Sequence, residues 1–198
     1  YKTGEVNVSI DKNGIADYDI LNPVAWDDIS LNSKNIELTK NSSVFVFGSL
    51  ICRNMTSRRT LKELLKIAPF KLFDINLRSP YYNMNLIEEL MLSSDFIKFN
   101  YEEIEEISTI YINKKATLEN MIETISEKTK TKNICVTMGE KGACYYTNNS
   151  FYYQDGFKIN VLDTVGAGDS FLATLVEGIL NKTKPQEILK KACAVAAL

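Results

Sequence analysis

The 198-residue sequence predicts an α/β fold, three layers (α/β/α) around a mainly parallel sheet, with a small β-hairpin beside it. Three observations carry that expectation. From residue 44 onward, short apolar runs of strand length alternate with stretches of helical periodicity, the order of a parallel sheet covered on both faces. Hydrophobic residues make up 45% of the chain, enough to fill one substantial core. Residues 6 to 20 instead alternate around a Lys12-Asn13-Gly14 turn, the pattern of two paired antiparallel strands.

Two units follow in order. Residues 1–22 hold the hairpin, with Val6, Val8 and Ile10 on one face and a returning strand through Tyr18 and Ile20. Residues 23–198 hold the core. After Pro23, residues 25–29 can start a short helix. Strands are expected at 44–48, 71–75, 96–99 and 134–138, and helices at 57–67, 86–93, 102–110 and 117–128. Short strands at 143–146 and 151–153 read as an antiparallel edge. An extended stretch, 158–162, leads into two last helices, 166–180 and from Pro185 onward, where proline suits a first helical turn. In an open α/β sheet, ligands gather beyond the carboxyl ends of the strands. Asn76 and Arg78, Asn100 and Glu103, and Gly139 and Gly142 fall on that rim.

Composition excludes several chemistries. The chain contains no histidine, so it holds no Ser-His-Asp or Cys-His centre and no His-ligated zinc. A net charge of −2 gives no global attraction to nucleic acid or to an anionic membrane. No apolar run approaches spanning length, and no signal-peptide pattern opens the sequence; a soluble, cytoplasmic protein is expected. Cys52, Cys135, Cys144 and Cys193 are scattered without C-x-x-C spacing and read as buried, reduced thiols.

The densest motif is DTVGAGDSF, Asp163 to Phe171, at the start of an amphipathic run through Phe171, Leu172, Leu175, Val176, Ile179 and Leu180. It is no Walker A loop, and Phe171 stands where G-x-G-x-x-G needs its third glycine. A helix start at Gly166, Ala167 and Gly168 nevertheless presents free N–H donors to an anion, and glycine lets that anion approach closely. Asp169 in the first turn has a plain reading, as a dipole-stabilising carboxylate worth about 0.3–1 kcal/mol. Beside an anion site it has a second one, as the base that takes a proton from an attacking hydroxyl.

DTVGAGDSF strongly resembles the C-terminal signature of the pfkB, or ribokinase-like, carbohydrate kinases. Further segments match that family in its order. Asn100-Tyr101-Glu102-Glu103 resembles its N-x-x-E motif, and residues 136–143, V-T-M-G-E-K-G-A, resemble the segment that approaches the nucleotide. The resemblance implies a ribokinase-like fold and transfer of the ATP γ-phosphoryl group to a sugar or nucleoside hydroxyl. It makes Asp169 the catalytic base and Gly166, Ala167 and Gly168 the anion hole. Thr137, Gly139 and Gly142 would approach ATP, and Asn100 and Glu103 would place Mg²⁺ and phosphate, usually through water. It also implies a monovalent cation, K⁺, near Asp163. Residues 1–6, 11–14 and 25–27 look like the lid segment of fructokinases, and F-D-I-N-L-R at 73–78 is similar to the D-x-N-x-R stretch that fructokinases share with 2-keto-3-deoxygluconate kinases. A fructokinase is therefore the first expectation. Arg78, with Asn76, would hold phosphate or the carboxylate of an acidic sugar. The hairpin would act as a lid that also pairs subunits into a homodimer. A glycine-rich sugar-binding part before Tyr1 and a helix covering adenine after Leu198 are expected outside the chain.

Plainer roles stand beside each of these. Asn100 is a favoured N-cap and Glu103 its capping-box partner; alone that is the simpler reading, and the other motifs reverse the balance. Asp74 and Arg78 could form only a local ion pair. Gly139 and Gly142 could simply shape a hairpin, and Trp26 and the tyrosines at 145, 146, 152 and 153 fit packing better than a sugar platform. A non-catalytic sugar- or nucleotide-binding module, or a fragment without turnover, is the competing reading of another class. Asp169 argues against it, since a sensor needs no base.

Overall fold

The computed structural model describes residues 1–10, 16–159 and 165–198. Strands β1 (Val6–Ile10) and β2 (Ala16–Ile20) pair antiparallel as a separate two-stranded sheet, Val6 opposite Ile20. The turn expected at residues 12–14 lies outside the described residues. A 3₁₀ turn, Ala25–Asp28, follows in place of the expected short helix.

The core begins with a helix that periodicity does not announce, α1 (Ser33–Asn41). Its start is fixed by polar chemistry: Asn32 accepts from the Asn35 amide at 2.9 Å, and the Asn35 side chain accepts from the Asn32 amide at 3.0 Å. Then come β3 (Phe45–Gly48), a 3₁₀ turn at Leu50–Arg53, α2 (Met55–Leu65), β4 (Lys71–Asp74), α3 (Met84–Leu92), β5 (Phe96–Asn100), α4 (Tyr101–Ser108) and α5 (Leu118–Thr129). The chain continues through β6 (Asn133–Thr137), β7 (Ala143–Thr147), β8 (Ser150–Gln154), α6 (Ala167–Leu180) and α7 (Pro185–Ala196). Each expected core strand and helix is present, with ends shifted by one or two residues. Residues 158 and 159 form no strand, and 160–162 lie outside the described residues.

The main sheet has the order β3-β4-β5-β6-β7-β8. The first four strands are parallel and the last two pair antiparallel. Alternation along the strands divides the core in two. Phe47, Phe73, Ile97, Phe99, Ile134 and Val136 face α2 to α5, packing with Leu61, Ile87, Leu90, Ile107, Ile122 and Ile125. Leu72, Phe96, Cys135 and Tyr145 face α6 and α7, against Phe171, Leu175, Leu189 and Ala192. Each large apolar side chain buried this way contributes about 1.5–3 kcal/mol relative to exposure. Leu180, expected on the packed face of α6, is instead exposed at the helix end.

All four cysteines are free and buried, and burial pushes the thiols of Cys52, Cys144 and Cys193 up to about 11. They are inert packing groups at neutral pH. Among the described residues no helix is long and apolar enough to cross a membrane.

The small sheet is tied to the core by one buried arginine. Arg53 donates through Nε and Nη2 to the two carboxylate oxygens of Asp27, both at 2.7 Å. It also reaches the carbonyls of Ile20 and Leu21, at 3.3 and 2.6 Å, just where β2 ends. Its guanidinium lies 3.9 Å from the centre of the Trp26 ring. Trp26 is therefore a packing partner of Arg53, as the plainer reading has it.

Candidate active site

The parallel strands end on one rim, and the site is assembled there. β6 runs through Thr137 into a short 3₁₀ turn, Gly139–Lys141, entered at Gly139 with φ +57° and left at Gly142 with φ +90°. Gly142 is required twice over. Its backbone is left-handed, and a Cβ there would stand 1.9 Å from the Gln154 carbonyl oxygen. Gly142→Ala should therefore cost at least about 1–3 kcal/mol of stability, read as a lower urea midpoint at unchanged slope; a variant as stable as wild type would show that this corner can relax.

Opposite this turn, α6 starts at Ala167 behind an N-cap Gly166 with φ +82°. Ser170 closes the first turn by donating its amide to the Gly166 carbonyl at 2.8 Å. The amides of Ala167, Gly168 and Asp169 precede that bond and have no acceptor within the helix. The packed face of α6, Phe171, Leu172 and Leu175, pins this end against the sheet. Between the two elements lies a cavity of about 830 Å³, walled by Thr137, Gly139 and Gly142 on one side and by Ala167, Gly168 and Phe171 on the other. Cys193, Ala196 and Ala197 at the end of α7 supply an apolar wall, as do Phe157 and Ile159.

Asp169 is exposed in the first turn of α6, and among the described residues no hydrogen bond or ion pair engages its carboxylate. Asp163 lies outside the described residues. Asn100 and Glu103 complete a capping box: the Asn100 side chain accepts from the Glu103 amide at 2.8 Å, and Glu103 Oε2 accepts from the Asn100 amide at 2.8 Å. Glu103 Oε1 accepts a further bond from the Leu77 amide, 3.0 Å away, so this carboxylate ties the start of α4 to the loop after β4. Burial pushes the Glu103 carboxyl above the usual carboxylate range, opposed by these two amides. The described residues hold no cluster of three or more acidic or thiol groups suited to a metal. With one amide on each oxygen, Glu103 keeps lone pairs on which a cation could be held, directly or through water.

The loop after β4 departs from the sequence reading. Asp74 does not pair with Arg78. Its Oδ1 accepts from Lys98 Nζ at 3.0 Å, on the neighbouring strand and in register with it. Arg78 is exposed, and among the described residues its guanidinium bonds only the adjacent Leu77 carbonyl, at 3.0 Å. Asn76 takes a left-handed φ of 42° that turns the chain off the strand. Neither Asn76 nor Arg78, nor Asn100 nor Glu103, lines the cavity; they occupy the adjoining part of the rim. Lys98 stands inside the apolar strand F-I-K-F, a position that calls for a buried counter-charge such as Asp74.

The family model for the pfkB family carbohydrate kinases matches residues 9–198. The chain belongs to that family. A relative named "Putative sugar kinase PH1459", of Pyrococcus horikoshii, is 30% identical over 197 residues that cover 95% of the chain and 58% of PH1459. The crystal structure of PH1459 in complex with ATP superposes with a TM-score of 0.81 at 26% identity, covering 99% of the chain and 64% of that structure. Fructokinase-2 of Solanum lycopersicum is 29% identical over 187 residues, covering 83% of the chain and 53% of that enzyme. The ribokinase of Thermotoga maritima has the same fold, with a TM-score of 0.76 at 22% identity over 98% of the chain and 62% of its own. The ribokinase-like α/β architecture is thereby established, and the chain spans between half and two thirds of these relatives.

Proposed function

We propose that the full-length protein is an ATP-dependent carbohydrate kinase, most similar in its chemistry to fructokinases. The observation that carries this reading is the juxtaposition of the α6 N-terminus, with Asp169 in its first turn, against the Thr137–Gly142 segment across one cavity. A sugar hydroxyl in front of Asp169 gives up its proton to the carboxylate as its oxygen attacks the γ-phosphorus. The bond from that phosphorus to the β,γ-bridging oxygen breaks, and ADP leaves. The amides of Gly166, Ala167 and Gly168 hold the phosphoryl oxygens, whose charge grows in the transition state. Thr137, Gly139 and Gly142 border the nucleotide. Mg²⁺, carried by the nucleotide and reached through water from Glu103 and Asn100, would neutralise phosphate charge. Asp163 is the residue for a K⁺ ion.

A keto-deoxy acid kinase is the second reading, favoured by Arg78, whose exposed guanidinium has no carboxylate partner among the described residues and could take one from an acidic sugar. The hairpin of residues 1–22 would close as a lid over the core of residues 23–198 and pair subunits into a homodimer. Buried reduced thiols suit a cytoplasmic setting. A coupled ADP-release assay of the full-length protein with fructose, ribose, 2-keto-3-deoxygluconate, adenosine and fructose 6-phosphate tests the assignment. Turnover is expected with fructose; turnover with adenosine alone would overturn the sugar assignment.

A further inference from the structure

Both legs of the two-stranded sheet return to one place. Leu21 donates its amide to the Glu5 carbonyl at 3.2 Å, and Ala25 to the Lys2 carbonyl at 2.7 Å, so the root of β1 is lashed to the segment that follows β2. Gly4 lies against Trp26: a Cβ there would stand 2.6 Å from the indole Nε1. The Trp26 carbonyl accepts from the Ser57 hydroxyl of α2 at 2.8 Å. Arg53 covers the same indole and holds the Ile20 and Leu21 carbonyls, so it secures the other leg.

A second ring on Arg53 belongs to a different part of the rim. The guanidinium lies 5.1 Å from the centre of the Tyr81 ring, in the loop after β4. Tyr81 donates its amide to the Arg78 carbonyl at 2.9 Å and closes the turn that presents the exposed Arg78 side chain. One buried cation thus joins the root of the small sheet to the Arg78 turn. The edge of its plane bonds Asp27, Ile20 and Leu21, which leaves its faces to the rings. Apolar side chains could fill this space without loss of stability, but they lack the directional fork that fixes several segments at once.

We infer that Arg53 is a positioning residue for the acceptor: through Tyr81 it fixes the Arg78 turn against the root of the two-stranded sheet, and so sets sugar affinity. Its own side chain is buried and touches no ligand. The inference rests on the kinase reading for the identity of the acceptor and for the role of Arg78.

Calorimetric titration of the full-length protein with each of the five compounds of the turnover assay, and separately with ATP, tests it without requiring turnover. Arg53→Met/Asp27→Leu leaves no orphaned charge and should regain much of the thermal midpoint lost in Arg53→Met. Its affinity for the compound that wild type binds most tightly should nevertheless fall at least about ten-fold, with ATP affinity changed by less than about two-fold. Tyr81→Leu leaves the ion pair intact and should show the same selective loss; Tyr81→Phe, which keeps the ring, should recover most of it. A merely structural Arg53 would predict recovery of sugar affinity together with the midpoint. Wild-type sugar affinity in the double variant or in Tyr81→Leu, an equal loss for ATP, or a wild type that binds none of the five compounds would each overturn the assignment. Sugar binding that depends on Arg53 and Tyr81 in a protein that releases no ADP would uphold it and refute the kinase reading instead. Turnover with unchanged sugar affinity in both variants would refute the inference alone.

Discussion

Asp169→Asn should lower turnover of the full-length protein by about 10²- to 10⁴-fold and leave ATP affinity close to wild type. The substitution keeps the size and polarity of the side chain and removes only its capacity to accept a proton. Because Asp169 is exposed and engages no described partner, the fold has little at stake. Loss of its favourable interaction with the helix end costs about 0.3–1 kcal/mol, too little to unfold a domain with two packed cores. A catalytic role and a purely dipole-stabilising role therefore separate cleanly. The first predicts a collapse of kcat on top of that small fall in thermal midpoint. The second predicts a small fall in midpoint with kcat intact, and a variant retaining more than about a tenth of wild-type kcat would dismiss Asp169 as the base.

The largest expected effect on stability lies away from the site, at Arg53. Its side chain is 1% exposed and that of Asp27 0%, so the ion pair is fully withdrawn from water. Truncating Arg53 to methionine leaves a buried carboxylate without its counter-charge and frees the Ile20 and Leu21 carbonyls, a loss of about 3–5 kcal/mol. Denaturant unfolding measures it. A joint Arg53→Met/Asp27→Leu replacement should recover much of that loss, since the penalty belongs to the orphaned charge. The pair also has a pH signature. Hydrogen bonds from Arg53 hold the Asp27 carboxyl below its ordinary value of 3.8, aided by the Val24 amide and opposed by burial. The unfolded chain binds this proton more tightly than the folded one. The stabilisation is thus complete above the unfolded value and lost as pH falls through the lower, folded value. Asp27→Asn should flatten the acid limb of the stability profile; an unchanged limb would show that other carboxylates control it.

The parallel strands and their helices were legible because their apolar residues recur at fixed periods, and those periods survive in the packed layers. Helix α1 was not legible. Its sequence, SKNIELTKN, buries only Thr39, so hydrophobic periodicity had nothing to register, and Asn32 and Asn35 fix its start by polar bonds. At the site, the local motifs Gly166–Asp169 and Gly139–Gly142 could be read as helix start and turn from their own residue types. Asp74–Lys98 and Asp27–Arg53 could not, because their members stand 24 and 26 residues apart and meet through strand register and loop packing. Asp74 had a nearer candidate in Arg78, four residues on, and proximity in sequence pointed to the wrong cation. The dual use of Glu103 was half visible: the capping box is local, whereas the bond from Leu77 crosses 26 residues.

Helix α6 closes one of the two cores with Phe171, Leu172 and Leu175, and the first of these also walls the cavity. Folding and ligand occupancy therefore draw on the same element. A ligand held by the first turn of α6 stabilises the packing farther along it, by about 2.7 kcal/mol at a concentration one hundred times its dissociation constant. Conversely, a core substitution such as Leu175→Ala, remote from any phosphate, would loosen the grip of that first turn. Thermal denaturation with and without nucleotide becomes a gauge of the site that needs no second substrate.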